Sequence, residues 1–141
     1  MKKYLFILSI FALILSVGCE KKEYAREAVY GKVTFSPANP YVGDTVTMTV
    51  EVLDPGHRIF HADYRWSCTS VFSDEVRVTA PDGAKTIVAP PTYEYVFKES
   101  GDFNVSMTAR LKFSMPTEGG ALFGSASSRI TKITVKKRPS D

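Results

Sequence analysis

The sequence predicts a single all-β domain, an antiparallel β-sandwich, preceded by a segment that does not belong to the fold. From Val29 onward, apolar and polar residues alternate with a period of two, which is typical of strands with one buried face. Turn residues (Pro, Gly, Asp and Ser) separate these runs, and no amphipathic stretch reaches the roughly 12 residues of a helix. Short strands at this spacing indicate a sandwich.

The alternation is clearest in two runs. Residues 45–52 direct four apolar side chains to one face: Val46, Met48, Val50 and Val52. The run after Gly101 directs six side chains inward: Phe103, Val105, Met107, Ala109, Leu111 and Phe113. Shorter alternating runs predict further strands over 64–68, 75–79, 93–97 and 129–135.

The first residues have the order of an export signal. Lys2 and Lys3 precede an apolar stretch over 4–15, which is shorter than the roughly 20 residues of a membrane-spanning helix. Small residues then lead to Cys19, so residues 1–18 are predicted to be a signal peptide. An uncleaved apolar anchor and a plain secretory signal are the alternatives.

The segment Leu15–Cys19 (LSVGC) resembles the lipobox of bacterial lipoproteins. That resemblance implies cleavage before Cys19, a diacylglycerol on its sulfur and a further acyl chain, such as palmitate, on its amine. Two or three acyl chains hold a protein firmly, whereas one chain binds a membrane only marginally. The resemblance implies a lipid anchor in the cell envelope, and we expect the outer membrane, at its periplasmic or surface face.

Residues 19–28 are highly charged and are predicted to form a tether between the lipid and the domain. Loss of Lys2 and Lys3 with the signal leaves a chain with almost no net charge. A near-neutral domain gives no electrostatic reason to expect nucleic-acid binding. With Cys19 blocked by lipid, Cys68 has no partner in the chain and is expected to lie in the core.

Three stretches resemble the PKD-type immunoglobulin-like domain, a seven-stranded sandwich of bacterial surface proteins. Residues 35–46 resemble the run into its second strand, and Tyr64–Trp66 resembles the third strand, whose tryptophan packs on the core. Residues 93–107 match its paired fifth and sixth strands. The resemblance implies an immunoglobulin-like sandwich over residues 29–138 and a non-catalytic role, since this fold hosts binding, spacing and adhesion.

Candidate chemistry is sparse in this sequence. His57, His61 and Asp63 have the donor types of a zinc site, but Pro55 and Gly56 make their segment a loop, so we predict no metal. No Gly-x-Ser-x-Gly elbow and no glycine-rich phosphate loop occurs, so we expect neither an enzyme nor a cofactor.

The connection over residues 114–128 is much longer than the 2–5 residues of an ordinary hairpin. Its apolar residues Met115, Leu122 and Phe123 are candidate binding residues, because long loops on a rigid scaffold often carry function. Alternatively they cap the open end of the core. The resulting prediction is a lipid-anchored, non-catalytic envelope module that binds a protein or glycan or acts as a spacer. The alternative is a lipoprotein that captures a glycan or a metal for uptake.

Overall fold

The computed structural model describes residues 24–81 and 86–139, and within these ranges the chain forms eight strands and no helix. The predicted signal peptide and Cys19 lie outside the described residues. The strands are β1 (Val29–Ser36), β2 (Thr45–Asp54), β3 (Ile59–Cys68), β4 (Phe72–Thr79), β5 (Tyr93–Val96), β6 (Gly101–Phe113), β7 (Phe123–Ser127) and β8 (Thr131–Val135).

The strands form two antiparallel sheets packed face to face. The smaller sheet has the order β1-β2-β5, and the larger has the order β4-β3-β6 with β7 and β8 along the remaining edge of β6. Strand β7 pairs with residues 108–112 and β8 with residues 101–105, so the two short strands together cover one edge. The prediction of an all-β sandwich is confirmed.

The alternating side chains lie on the sides that the sequence predicts. In β6, Val105, Met107, Ala109, Leu111 and Phe113 are all buried, while the residues between them are exposed or partly exposed. A strand places successive side chains on opposite faces, so this pattern buries one face of β6 and leaves the other to solvent. The third strand likewise buries Tyr64, Trp66 and Cys68.

Two buried tyrosines place hydroxyl groups in the core. Tyr30 on β1 and Tyr64 on β3 are buried and hydrogen-bond to each other between the two sheets. Burial is the main reason why the pKa of each phenol lies above its ordinary value. The pair satisfies polar groups that would otherwise be costly to bury.

Four sequence-based expectations need correction. The segment from His57 to Asp63, expected to be a loop, is strand from Ile59 onward, so β3 begins five residues before the predicted strand over 64–68. Strand β5 pairs with β2 rather than with β6, because the corner at 97–100 carries the chain from one sheet to the other. The strand expected over 75–79 begins earlier, at Phe72. The connection expected over 114–128 contains strand β7, which leaves a loop of only 114–122.

The two ends of the sandwich carry different segments. We call the end where residue 24 joins the domain the proximal end; it comprises residues 24–28, 55–58 and 114–122. The distal end comprises the connections over 37–44, 69–71 and 97–100. At about 3.3 Å per residue, the 13 residues of β6 separate the two ends by roughly 40 Å.

Candidate functional site

The described part of the predicted tether, residues 24–28, is docked on the proximal end. The amide of Ala25 donates a hydrogen bond to the carbonyl of Pro116 at 3.3 Å. Arg26 and His57 exchange backbone hydrogen bonds of 3.1 and 3.0 Å. Ala25 and Ala28 are buried in the core cluster, so this segment is part of the folded domain.

A paired arginine and aspartate hold the same segment from its outer side. Arg26 donates from Nε to Asp54 Oδ2 at 2.9 Å and from its second nitrogen to Oδ1 at 3.1 Å. The amide of Gly56 donates to Asp54 Oδ1 at 2.9 Å. The Arg26 hydrogen bonds, followed by the Gly56 amide, lower the pKa of the Asp54 carboxyl below its ordinary value.

We expect acid to loosen residues 24–28. The folded pKa of Asp54 lies below its ordinary value of 3.8, so the ion pair contributes above that value. Its contribution is lost as the pH falls through the lowered folded pKa. Amide hydrogen exchange at Arg26 and His57, corrected for intrinsic rates, should show protection at neutral pH and its loss below about pH 4.

Two variants test this assignment. Asp54→Asn should reduce the protection already at pH 6 and abolish the step in acid. Asp102→Asn, at an exposed carboxylate on β6, should leave the step in place. Identical exchange profiles for Asp54→Asn and the wild type would show that the ion pair does not hold the segment.

The three predicted binding residues, at both ends of the loop over 114–122, differ in their exposure to solvent. Met115 packs against the core, as the capping alternative expects, whereas Leu122 and Phe123 are 48% and 67% exposed. The amide of Phe113 donates to the carbonyl of Leu122 at 2.9 Å, which extends the β6–β7 hydrogen-bond ladder by one pair, to the last residue of the loop. Two of the three predicted residues therefore lie on the surface beside the docked segment.

An aromatic and basic surface surrounds Phe123. The Lys112 ammonium lies 5.4 Å from the centre of the Phe60 ring and 5.9 Å from that of Phe123. Both distances are in the range of cation–π contacts. Phe60 occupies a bulge between Ile59 and His61, which the alternation in the sequence does not reveal. We call Phe60, Lys112 and Phe123, together with the exposed Leu122 that precedes Phe123 in the chain, the proximal patch.

The candidate metal ligands are only partly brought together. His61 Nε2 lies 3.3 Å from Asp63 Oδ1, and His61 Nδ1 lies 3.0 Å from Thr79 Oγ1. His57 lies instead in the proximal loop beside Arg26. Within residues 24–81 and 86–139, no three His, Cys, Asp or Glu side chains are grouped closely enough to hold a metal ion.

A surface cleft lies next to the proximal patch. It is lined by His61, Asp63, Arg110, Leu111, Lys112 and Phe123. Its volume of about 210 Å³ is below the roughly 300–1,000 Å³ of typical small-molecule sites. The geometry therefore favours a surface contact here over enclosure of a ligand.

The outer face of the larger sheet carries an ion-pair network that the sequence alone does not reveal. Glu75 lies 3.2 Å from Arg65 and 3.7 Å from Arg110, and Arg77 lies 3.6 Å from Asp63. Alternation in the sequence predicts that these residues point outward, but only strand register places them side by side. The arginines are largely exposed, and such pairs contribute little to stability.

Neither cysteine adds a described reactive site. Cys19 lies outside the described residues. Cys68 is buried at the end of β3, and burial raises the pKa of its thiol. A raised pKa disfavours the thiolate, the form of cysteine that acts as a nucleophile.

Sheet order, the face-to-face packing and the buried tryptophan on β3 define an immunoglobulin-like β-sandwich. Comparisons with models of protein families, with curated proteins and with solved structures find no match. In the ranges 24–81 and 86–139, no helix has the length and apolar character needed to cross a membrane.

Proposed function

We propose that this chain is a lipid-anchored, non-catalytic module of the bacterial cell envelope, of the PKD-type immunoglobulin-like class. The acyl chains on Cys19 would fix its location, and the sandwich would present its distal loops to an envelope protein or glycan, or would act as a spacer. The lipobox-like segment Leu15–Cys19 supports the anchor. The strand order and the buried Trp66 support the class.

The lipobox-like segment is the observation that carries this proposal, and the docked segment indicates which end of the domain an anchor would lie near. After the proposed cleavage, five residues, Cys19–Glu23, would precede the described chain, and they can span at most about 18 Å. The anchor would therefore lie close to the proximal end. The distal loops would then extend roughly 40 Å further from the membrane, a distance set by the length of β6.

Display is better supported than ligand capture. The metal form of ligand capture needs His57 near His61 and Asp63, and within the described ranges these three residues form no group. No described feature favours the glycan form over a protein contact. We therefore retain display or spacing as the function.

The test is the mass of the full-length protein purified from membranes of a bacterium that processes lipoproteins. We expect a chain that begins at Cys19 and carries two or three acyl chains. Cys19→Ala should abolish both cleavage and acylation, whereas Cys68→Ala should leave them unchanged. An unmodified wild-type chain that begins at another residue would exclude the proposal.

A further inference from the structure

Exposed apolar side chains are concentrated at the proximal end. Among the described residues, nine large hydrophobic side chains are exposed, and six of these lie on the proximal end, on the strand ends that border it, or next to Ile87, whose amide bonds to the carbonyl of Ile59 at the start of β3. Those six are Tyr24, Val29, Leu53, Val88, Leu122 and Phe123. Such a concentration marks an interaction surface, whereas exposed apolar residues scattered singly are ordinary.

The chemistry of the proximal patch fits a membrane interface. Phe123 and Leu122 provide exposed apolar surface beside the end of β6. Lys112 lies against both aromatic rings, so its apolar stem can follow the rings while its ammonium remains near polar groups. Aromatic and lysine side chains are characteristic of the boundary between lipid headgroups and acyl chains.

The position of the proximal patch indicates which partner it contacts. The backbone of residue 25 bonds to the 114–122 loop, so the chain enters the domain beside the patch. An anchor on Cys19 is then within about 18 Å of residue 24. A bilayer that holds those acyl chains would therefore lie within reach of this end of the domain.

We propose that the proximal patch inserts into the membrane that carries the anchor, as a second contact that orients the sandwich upright. This inference rests on the proposed lipid anchor. The anchor alone would permit any tilt of the domain. Insertion of Leu122 and Phe123 would select the orientation in which the distal loops point away from the bilayer.

Site-specific tryptophans test the contact directly. The chain has one tryptophan, Trp66, which is fully buried and gives the same background in every variant. Full-length lipidated Phe123→Trp and Leu122→Trp are reconstituted in phosphatidylcholine vesicles with or without brominated acyl chains. Val96→Trp is the matched control, because Val96 is exposed near the distal end.

We expect a blue-shifted emission and bromine quenching for Phe123→Trp and Leu122→Trp, and neither for Val96→Trp. No quenching in protein whose mass shows the acyl chains would overturn the inference and leave the anchor intact. Equal quenching of Val96→Trp would overturn it too, since the domain would then lie flat.

A blue shift without quenching would indicate that a second copy of the chain covers the patch, which also overturns the inference. A chain without acyl groups would overturn both proposals.

Discussion

Replacing Trp66 by alanine is expected to lower the free energy of unfolding by about 3–5 kcal/mol. Trp66 is 0% exposed and lies on β3, between β4 and β6 in the larger sheet. Its ring stacks on Tyr93 of the opposite sheet, with centroids 5.9 Å apart and an angle of 14° between planes. Alanine would leave a cavity between the two sheets.

The tryptophan belongs to a larger aromatic cluster between the sheets. Phe72 lies 5.2 Å from Tyr93 and 4.6 Å from Tyr95, measured between ring centroids. Phe97 in turn lies 5.0 Å from both Tyr95 and Phe103. Because domains of this size are stable by about 5–15 kcal/mol in total, removal of the largest ring would cost a large share of the stability.

Urea unfolding should be followed by circular dichroism, because Trp66→Ala also removes the only tryptophan fluorophore. Ile130→Ala is the control: Ile130 is 74% exposed between β7 and β8, and its loss should change stability by less than about 0.5 kcal/mol. A loss below about 1 kcal/mol for Trp66→Ala would show that the packing between the sheets does not depend on this ring.

Period-two alternation allowed β2, β6 and the second half of β3 to be predicted from sequence. In β2, β3 and β6 an apolar residue occupies nearly every inward position, and each of these strands pairs with a neighbour on both sides. A strand buried on one face along its whole length must carry that pattern. The inward faces of these three strands follow directly from it.

The edge strands of the sheets, and which strands pair with each other, were not predictable in the same way. Strand β7 has the sequence FGSAS, and of its residues only Ala126 packs against the core. A short edge strand of small residues looks like a loop in the sequence. Strands β5 and β6 are adjacent in sequence but lie in different sheets, because Phe97 between them is buried at the corner.

The candidate site was also only partly predictable. Met115, Leu122 and Phe123 were identified from the length of their connection, but the sequence does not tell which of them reaches solvent. Docking of residues 24–28 depends on backbone hydrogen bonds and on two small side chains. Neither produces a pattern that distinguishes a docked segment from a charged tether.

Gly56→Ala is expected to release residues 24–28 from the proximal end. Gly56 has a φ of +82°, which costs a residue with a side chain about 1–2 kcal/mol. An added Cβ would lie 2.8 Å from the carbonyl oxygen of Arg26 and 3.0 Å from the amide nitrogen of Ala28. Both atoms belong to backbone, so relief of these contacts requires the docked segment to move away.

Limited trypsin digestion would measure this release at the Arg26–Glu27 bond. Arg26 is protected in the wild type by its two backbone hydrogen bonds to His57. A docking loss of about 1.4 kcal/mol or more would raise cleavage there at least about tenfold. Mass spectrometry identifies this product by its start at Glu27, and a peptide substrate added to each sample reports trypsin activity.

Gly119→Ala is the matched control at the same end. Its added Cβ would have no heavy atom within 4 Å, and its backbone does not require a positive φ. Cleavage after Arg26 should therefore remain slow in Gly119→Ala and become fast in Gly56→Ala. If both variants resist trypsin as the wild type does, the structure accommodates the added Cβ at Gly56 without releasing residues 24–28. The docked segment would then be held more firmly than its few hydrogen bonds imply. If only Gly56→Ala is cut, this glycine is what allows the chain to enter the domain beside the proximal patch.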